Sequence, residues 1–252
     1  MSTQKLHIHI MFRKSFPALL LFLHLVTSAG AQSSGSVGLF PTIDHSGTLS
    51  SKWAYSLYYF AGADLYHSRT ADGNRPKAVV SALYAEHAIH YQLRPSFALT
   101  GSYVYERQQP FGDRYRNEHR YYLQGTYMHQ WGTTTFKHRL RYDGRFIQNR
   151  VSDTWPYTSR VRYLFGVKVP IGASAAYFSA YNEVFFNTFK NANVVYAENW
   201  AAAAIGVKTG KNSSIEMGPL YIYWVNNQQY DLTNFVYLQV AWVSHVNFSK
   251  RK

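Results

Sequence analysis

The sequence has no cysteine, which excludes a disulfide framework, a thiolate metal centre and attachment of lipid through a thiol. Acid is scarce as well, with 13 Asp and Glu against 26 Lys and Arg. No apolar run approaches the roughly 20 residues that a membrane-crossing helix needs. The longest, Phe16 to Val26, stops short of that and nothing downstream replaces it. Beyond residue 31 no stretch holds a period of 3.6, so a helical domain is not expected.

What is abundant is aromatic: 22 Tyr, 16 Phe and 6 Trp. The N-terminus carries Lys5, Arg13 and Lys14 with no acidic residue, then the apolar run, then Ala29, Gly30 and Ala31. That order predicts a cleavable signal peptide over 1–31, cut before Gln32. Cleavage leaves 252 − 31 = 221 residues, enough for one domain or one barrel, and a formal charge of 23 − 13 = +10. A basic balance suits nucleic acid or an anionic membrane surface, and export makes nucleic acid the poorer partner.

Period-2 alternation recurs from Trp53 to Phe248, which reads as all-β. Ten strands are predicted: Trp53 to Leu65, Ala78 to Gln92, Ser96 to Arg107, Glu118 to Gln130, Thr133 to Ile147, Thr158 to Val169, Ala176 to Phe186, Val195 to Val207, Ser214 to Val225 and Phe235 to Phe248. Their connections alternate long and short. Polar segments such as Gln108 to Asn117 and Gln148 to Tyr157 alternate with tight turns at Pro95, Gly132, Pro170 to Gly172 and Thr209 to Asn212. An up-and-down barrel with long loops outside and short turns in the periplasm has this pattern, and aromatic girdles account for the Tyr and Phe load.

Residue identities bear on which face is outside. From Thr133 to Ile147 one face reads Phe136, His138, Leu140, Tyr142 and Phe146, and the other Lys137, Arg139, Arg141, Asp143 and Arg145. The next strand repeats it, with Val161, Tyr163, Phe165 and Val167 against Arg160, Arg162 and Lys168. In lipid the apolar set faces hydrocarbon, whereas in water both faces reverse and give a lipocalin-like cup with an apolar cavity. The expected fold is an up-and-down antiparallel transmembrane β-barrel of about ten strands in a Gram-negative outer membrane. Residues 32–52 are then a short periplasmic N-terminal segment, 53–248 the barrel and 249–252 a basic tail. The last strand, ending its apolar alternation at Phe248, resembles the signal read by the outer-membrane assembly machinery, which becomes an expected partner beside outer-membrane lipids and lipopolysaccharide.

The segments HRLRYDGRF at His138 to Phe146, SRVRYLFGVKVPIG at Ser159 to Gly172 and NEVFFN at Asn182 to Asn187 come in an order that resembles a family of bacterial outer-membrane β-barrel proteins catalogued only as a domain of unknown function. The likeness spans most of the chain after the leader. Its members show an Arg-rich strand pair, then an acidic residue followed by aromatics and Asn, then an Asn-Arg pair. Here Asn199 is followed by Trp200, and the Glu of the Arg-rich strand is replaced, with Asp143 and Gly144 nearby. The resemblance implies the architecture and no substrate or reaction.

Charges as dense as Lys137, Arg139, Arg141, Arg145, Arg160 and Arg162 on one face must be wet or paired, because burying an unpaired charge is prohibitive. Candidate partners of inward parity are Glu86, Glu106, Glu118, Glu183, Glu198 and Asp143. The expected site is therefore a lumen ion-pair network of Arg139, Arg141, Asp143, Arg145, Arg160, Arg162, Glu86, Glu118 and Glu183, packed with Tyr84, Tyr122 and Tyr181 into a largely occluded interior. The alternative is an anion-preferring pore lining. His87 and His90 have opposite parity and no histidine falls at ligand spacing beside a carboxylate pair, so no metal, cofactor or catalytic residue is assigned. An omptin-like acid and histidine rim is not visible, and an enzyme is not expected. Arg114, Tyr115, Arg116 and Trp155 read first as part of an ordinary aromatic girdle with basic neighbours, and a surface-binding rim for lipopolysaccharide phosphates is the alternative.

Overall fold

Side-chain alternation commits each extended segment to two faces, and sheet closure then decides what each face meets. The computed structural model describes residues 33–68, 75–113, 115–190, 192–228 and 231–249. The leader, Arg114 and the end of the basic tail fall outside the described residues. Eleven strands form: β1 (Ser33–Thr48), β2 (Trp53–Ser68), β3 (Arg75–Arg94), β4 (Phe97–Gln108), β5 (Arg116–Trp131), β6 (Thr134–Ile147), β7 (Tyr157–Pro170), β8 (Ala176–Asn187), β9 (Tyr196–Gly210), β10 (Ser213–Val225) and β11 (Leu232–Asn247). Each is antiparallel to its neighbours in sequence, and the sheet closes into a barrel.

The closing pair corrects the expectation of ten strands. Residues 32–52 are not a segment outside the wall: they hold β1 and the turn into β2. With an odd number of up-and-down strands the first and last must run the same way, and β1 pairs with β11 in parallel from Ser33↔Leu232 to Thr48↔Asn247. Side chains reinforce that seam, with Ser34 on Thr233 at 3.2 Å, His45 on Ser244 at 2.8 Å and Ser46 on His245 at 3.0 Å. The start of β1 therefore lies at the rim of the long connections, 69–74, 109–115, 148–156, 188–195 and 226–231, and the end of β11 at the rim of the short ones. The two ends are not on one side, as an even count had implied. The alternation of long and short connections holds all the same. In the short turns Gly132 and Gly172 take φ of +60° and +58°, where a side chain would be strained.

The faces fall as the charged strands suggest. Outward positions are apolar and bare, including Leu123 at 72 % and Leu140 at 59 % exposure, with Leu39, Ile43, Trp53, Tyr121, Phe165 and Trp242 around the circumference. Inward positions carry the buried charges, among them Glu118, Arg120, Asp143 and Glu183. This inverts a lipocalin-like cup. Within the lumen, buried apolar side chains include two clusters, one of Phe40, Leu220, Ile222, Phe235 and Tyr237, the other of Tyr84, Val104 and Tyr122.

One stretch of wall leaves no room for a side chain. Between Met217↔Ile205 and Leu220↔Ala202 the β9–β10 register runs past Gly218 and Pro219, and a Cβ on Gly218 would sit 2.0 Å from the Ala203 carbonyl oxygen. Pro219 has no N–H to contribute there. Gly218→Ala is expected to force the strands apart and cost about 1–3 kcal/mol, the usual range for overpacking. Gly101→Ala, with nothing within 4 Å of the added carbon, should leave stability nearly unchanged. Equilibrium unfolding of the purified barrel, followed by tryptophan fluorescence, compares the two.

Candidate functional site

Strands β5, β6 and β7 are adjacent, and the inward parity of each is rich in arginine, so the lumen must find acceptors for several guanidinium groups at once. It does so mainly with fork geometry. Arg162 meets Glu183 through Nε and Nη2, both at 2.9 Å, and Arg145 meets Glu118 through Nε at 2.8 Å and Nη2 at 2.7 Å. Two parallel charge-assisted bonds fix both distance and plane, which a lysine could not do. Each of these carboxylates also serves a second arginine: Arg139 reaches Glu183 at 2.7 Å and Arg120 reaches Glu118 at 2.5 Å.

The remaining pairs join strands farther apart as well as neighbours. Arg141 on β6 donates to Gln124 at 2.8 Å and reaches Glu86 on β3 at 3.4 Å, with its guanidinium 3.6 Å over the Tyr122 ring. Glu86 also accepts from the hydroxyls of Tyr84 at 2.7 Å and Tyr122 at 2.5 Å. Arg160 bridges Asp143 at 2.8 Å and Glu198 on β9 at 2.9 Å, and Arg120 reaches Glu106 at 3.1 Å. Six arginines, Arg120, Arg139, Arg141, Arg145, Arg160 and Arg162, thus meet six carboxylates, Glu86, Glu106, Glu118, Asp143, Glu183 and Glu198, for a formal sum of 6 − 6 = 0. An anion-selective lining needs uncompensated positive charge, and this network has none.

Beside the ions lies an aromatic layer. Phe60 stacks on Phe40 at 4.4 Å and on Tyr84 at 4.5 Å, and Trp200 on β9 approaches Phe40 at 6.1 Å and Phe60 at 6.4 Å from the facing wall. Phe185 lies 5.8 Å from Trp200 and under Arg162 at 4.3 Å, which joins the layer to the ion pairs. A cavity of about 1050 Å³ is left around these bridges, reaching toward both rims.

All nine residues expected in the network are in it. Arg120, Glu106 and Glu198 complete it. The latter two have inward parity and are visible as partners, whereas Arg120 goes unnoticed although it shares parity with Glu118 and Tyr122. Lys137, expected within the cluster, makes no ion pair among the described residues and lies in the electrostatic reach of Asp44 on the facing wall. Tyr181 lines the lumen as expected. The histidines are spread over both faces. His87 and His138 bond Tyr59 and Tyr163, each at 2.8 Å, on the outside, and His90 bridges Ser56 and Thr100, each at 2.8 Å, inside. Among the described residues no group of three His, Asp or Glu could hold a metal ion. At the rim of the long connections Trp155 packs on His119 at 5.0 Å and Tyr115 lies against Arg107 at 3.9 Å.

This geometry sits inside a family boundary. The model of a family described as "Protein of unknown function (DUF2490)" matches residues 40–233, which include every residue of the network. The chain belongs to that family. No curated protein and no solved structure matches it. The DUF2490 match begins at Phe40, inside β1, so the strand that closes the barrel is partly within the family region.

The sharing of one carboxylate by two arginines makes Glu183 a sensitive point. Glu183→Ala strands Arg139, leaves Arg162 with only Asp143 at 3.5 Å, and is expected to destabilise the barrel by about 3–5 kcal/mol. Removing the acid together with both of its arginines, with Glu183→Leu, Arg139→Met and Arg162→Met, should cost less than the single change. Comparison of the unfolding midpoints measures the difference, and equal losses would show that the pairing is not what holds these residues.

Proposed function

We propose that this DUF2490 chain is a small outer-membrane β-barrel, exported by its N-terminal leader, that neither conducts bulk solute nor catalyses a reaction. The observation carrying this reading is the sidedness of the wall, with bare apolar side chains outside and a neutral ion-pair network bridging the inside. Water outside would leave Leu123, Leu140 and the surrounding aromatics unburied, a contiguous apolar surface far larger than soluble monomers carry. Hydrocarbon outside removes that cost. The bridges from Arg141 to Glu86, Arg160 to Glu198 and Phe60 to Trp200 narrow the path past the cavity of about 1050 Å³, which supports a barrel that does not pass bulk solute. Barrels with open channels have about 16 strands, and eight give an interior that side chains fill. Eleven is nearer the filled limit.

In this reading the long connections face the cell exterior and the short turns the periplasm, as in other outer-membrane barrels. The leader's cleavage before Gln32 then frees an end one residue ahead of β1, at the outer rim. Odd strand numbers closed by a parallel pair have a precedent in the 19-stranded mitochondrial channel.

Two measurements test the reading. The protein should remain in the envelope fraction with gel migration that shifts on heating, and planar-bilayer reconstitution should give no stable large conductance at neutral pH. Release with periplasmic contents would overturn the membrane setting; a steady anion-selective current would overturn the closed lumen. Single-Cys variants at Asp113 and Ser34 should react with an impermeant maleimide on intact cells, and one at Gly132 only after the envelope is opened. The reverse pattern would turn the barrel over.

A further inference from the structure

Each of the six arginines in the lumen network meets a carboxylate, and three at the long-loop rim meet none. Arg107 and Arg150 lie against Tyr115, and Arg116 follows it on β5. The guanidinium of Arg107 lies 3.9 Å and that of Arg150 5.2 Å from the centre of its ring, and Arg116 is the next residue in the chain. Each is anchored by a neutral oxygen. Arg107 Nε donates to the Pro110 carbonyl at 3.3 Å, Arg116 Nη2 to Gln108 Oε1 at 2.6 Å, and Arg150 Nη2 to the Asp113 carbonyl. Neutral acceptors orient a guanidinium without spending its charge, and each group keeps further N–H donors. Among the described residues none of the three has an ion pair.

Their support is built into the loop. Gln109 holds a left-handed φ of 48° and its N–H bonds Ser81 O at 2.7 Å. Two further turns, Gly112 N on Gln109 O at 3.0 Å and Tyr115 N on Gly112 O at 3.2 Å, then deliver the Tyr115 ring between Arg107 and Arg150. Two like charges against one ring, with a third on the neighbouring residue, repel unless an anion joins them. A phosphate group matches them best, because its charge exceeds one unit near neutrality and its oxygens accept from several guanidinium forks together. Arg116 and Arg150 also line the mouth of the lumen, while Arg107 belongs to the opposite parity of β4, so the cluster straddles the crest of the wall.

We propose that Arg107, Arg116 and Arg150, held by Tyr115, form a phosphate-binding site at the long-loop rim. Two sources present that chemistry: a phosphorylated lipid headgroup approaching the crest from outside the wall, and a soluble phosphate ester entering the lumen mouth. This site goes beyond the closed-barrel reading and does not depend on it.

The test uses the full-length processed protein in a non-ionic detergent at low salt, with two probes: bisphosphorylated lipid A and inorganic phosphate. Wild type is compared with R107Q/R116Q/R150Q and with R94Q, which removes an arginine at the other rim. Binding of either probe should weaken about tenfold or more in the triple variant and fall with added salt, while R94Q leaves it unchanged. Phosphate competing with lipid A, and loss of binding when lipid A is dephosphorylated, would assign the lipid source. Phosphate binding alone would assign the soluble one. Failure of both probes to bind, a triple variant that binds like wild type, or equal weakening by R94Q would overturn the site. An unchanged unfolding midpoint for the triple variant separates loss of the site from loss of the fold, and conductance measurements on the same preparation report separately on the closed lumen.

Discussion

A guanidinium removed from water must meet a carboxylate, and the rest of this barrel follows from that requirement. Burying an ion costs several kcal/mol even after relaxation, so six arginines inside a narrow wall would not be tolerated singly. They are tolerated because adjacent strands supply Glu118 to Arg145 and Glu183 to Arg162, while the curvature of the wall brings Glu86 on β3 to Arg141 and Glu198 on β9 to Arg160. The network and the barrel therefore depend on each other. An open sheet would leave Arg141 and Arg160 each short of a partner. This is a constraint on uniqueness more than a source of net stability, since buried ion pairs seldom outperform well-packed apolar residues.

The odd strand number belongs to the same geometry. β1 contributes Phe40 to the aromatic layer and Asp44 to the wall facing Lys137, so without it the lumen would lose both its stacking partner for Phe60 and one lining carboxylate. Because β1 and β11 must run parallel, their seam cannot be a hairpin and has no turn to set its register. The polar contacts from Ser34 to Thr233 and from His45 to Ser244 supply register from side chains instead.

How much of this was legible follows from the residues themselves. Strands β6, β7 and β11 declare both faces, because charge or amide alternates with aliphatic and aromatic side chains at every step. β1 does not. Apart from Phe40, its inward positions, Ser34, Ser36, Gly38, Thr42 and Asp44, are small or polar, and its outward row of Val37, Leu39 and Ile43 is interrupted by Pro41. Arg120 hid for a related reason: Tyr121 and Tyr122 follow it, one outward and one inward, and identical residues erase alternation. The membership of the network could be read from parity alone, but not the pairings across the lumen, which depend on barrel curvature. The rim cluster was less legible still, because the turns that carry Tyr115 to Arg107 are a property of the folded loop.

Trp200 shows how a departure from the family pattern fits this accounting. The resemblance implies an Asn-Arg pair where this chain has Asn199 and Trp200. With Trp200 the network sums to zero; an arginine there would make seven cations against six carboxylates within the same confined volume. Glu198, the nearest acid, is already taken up by Arg160 at 2.9 Å and accepts the indole N–H of Trp200 at 3.2 Å. The indole thus satisfies its own donor, spends no charge and extends to the rings of Phe40, Phe60 and Phe185. Where an arginine would require either another acid or an external anion, a tryptophan fills space without adding charge. In this chain the residue that departs from the family pattern leaves the six arginines balanced by six carboxylates and ties β9 to the aromatic layer.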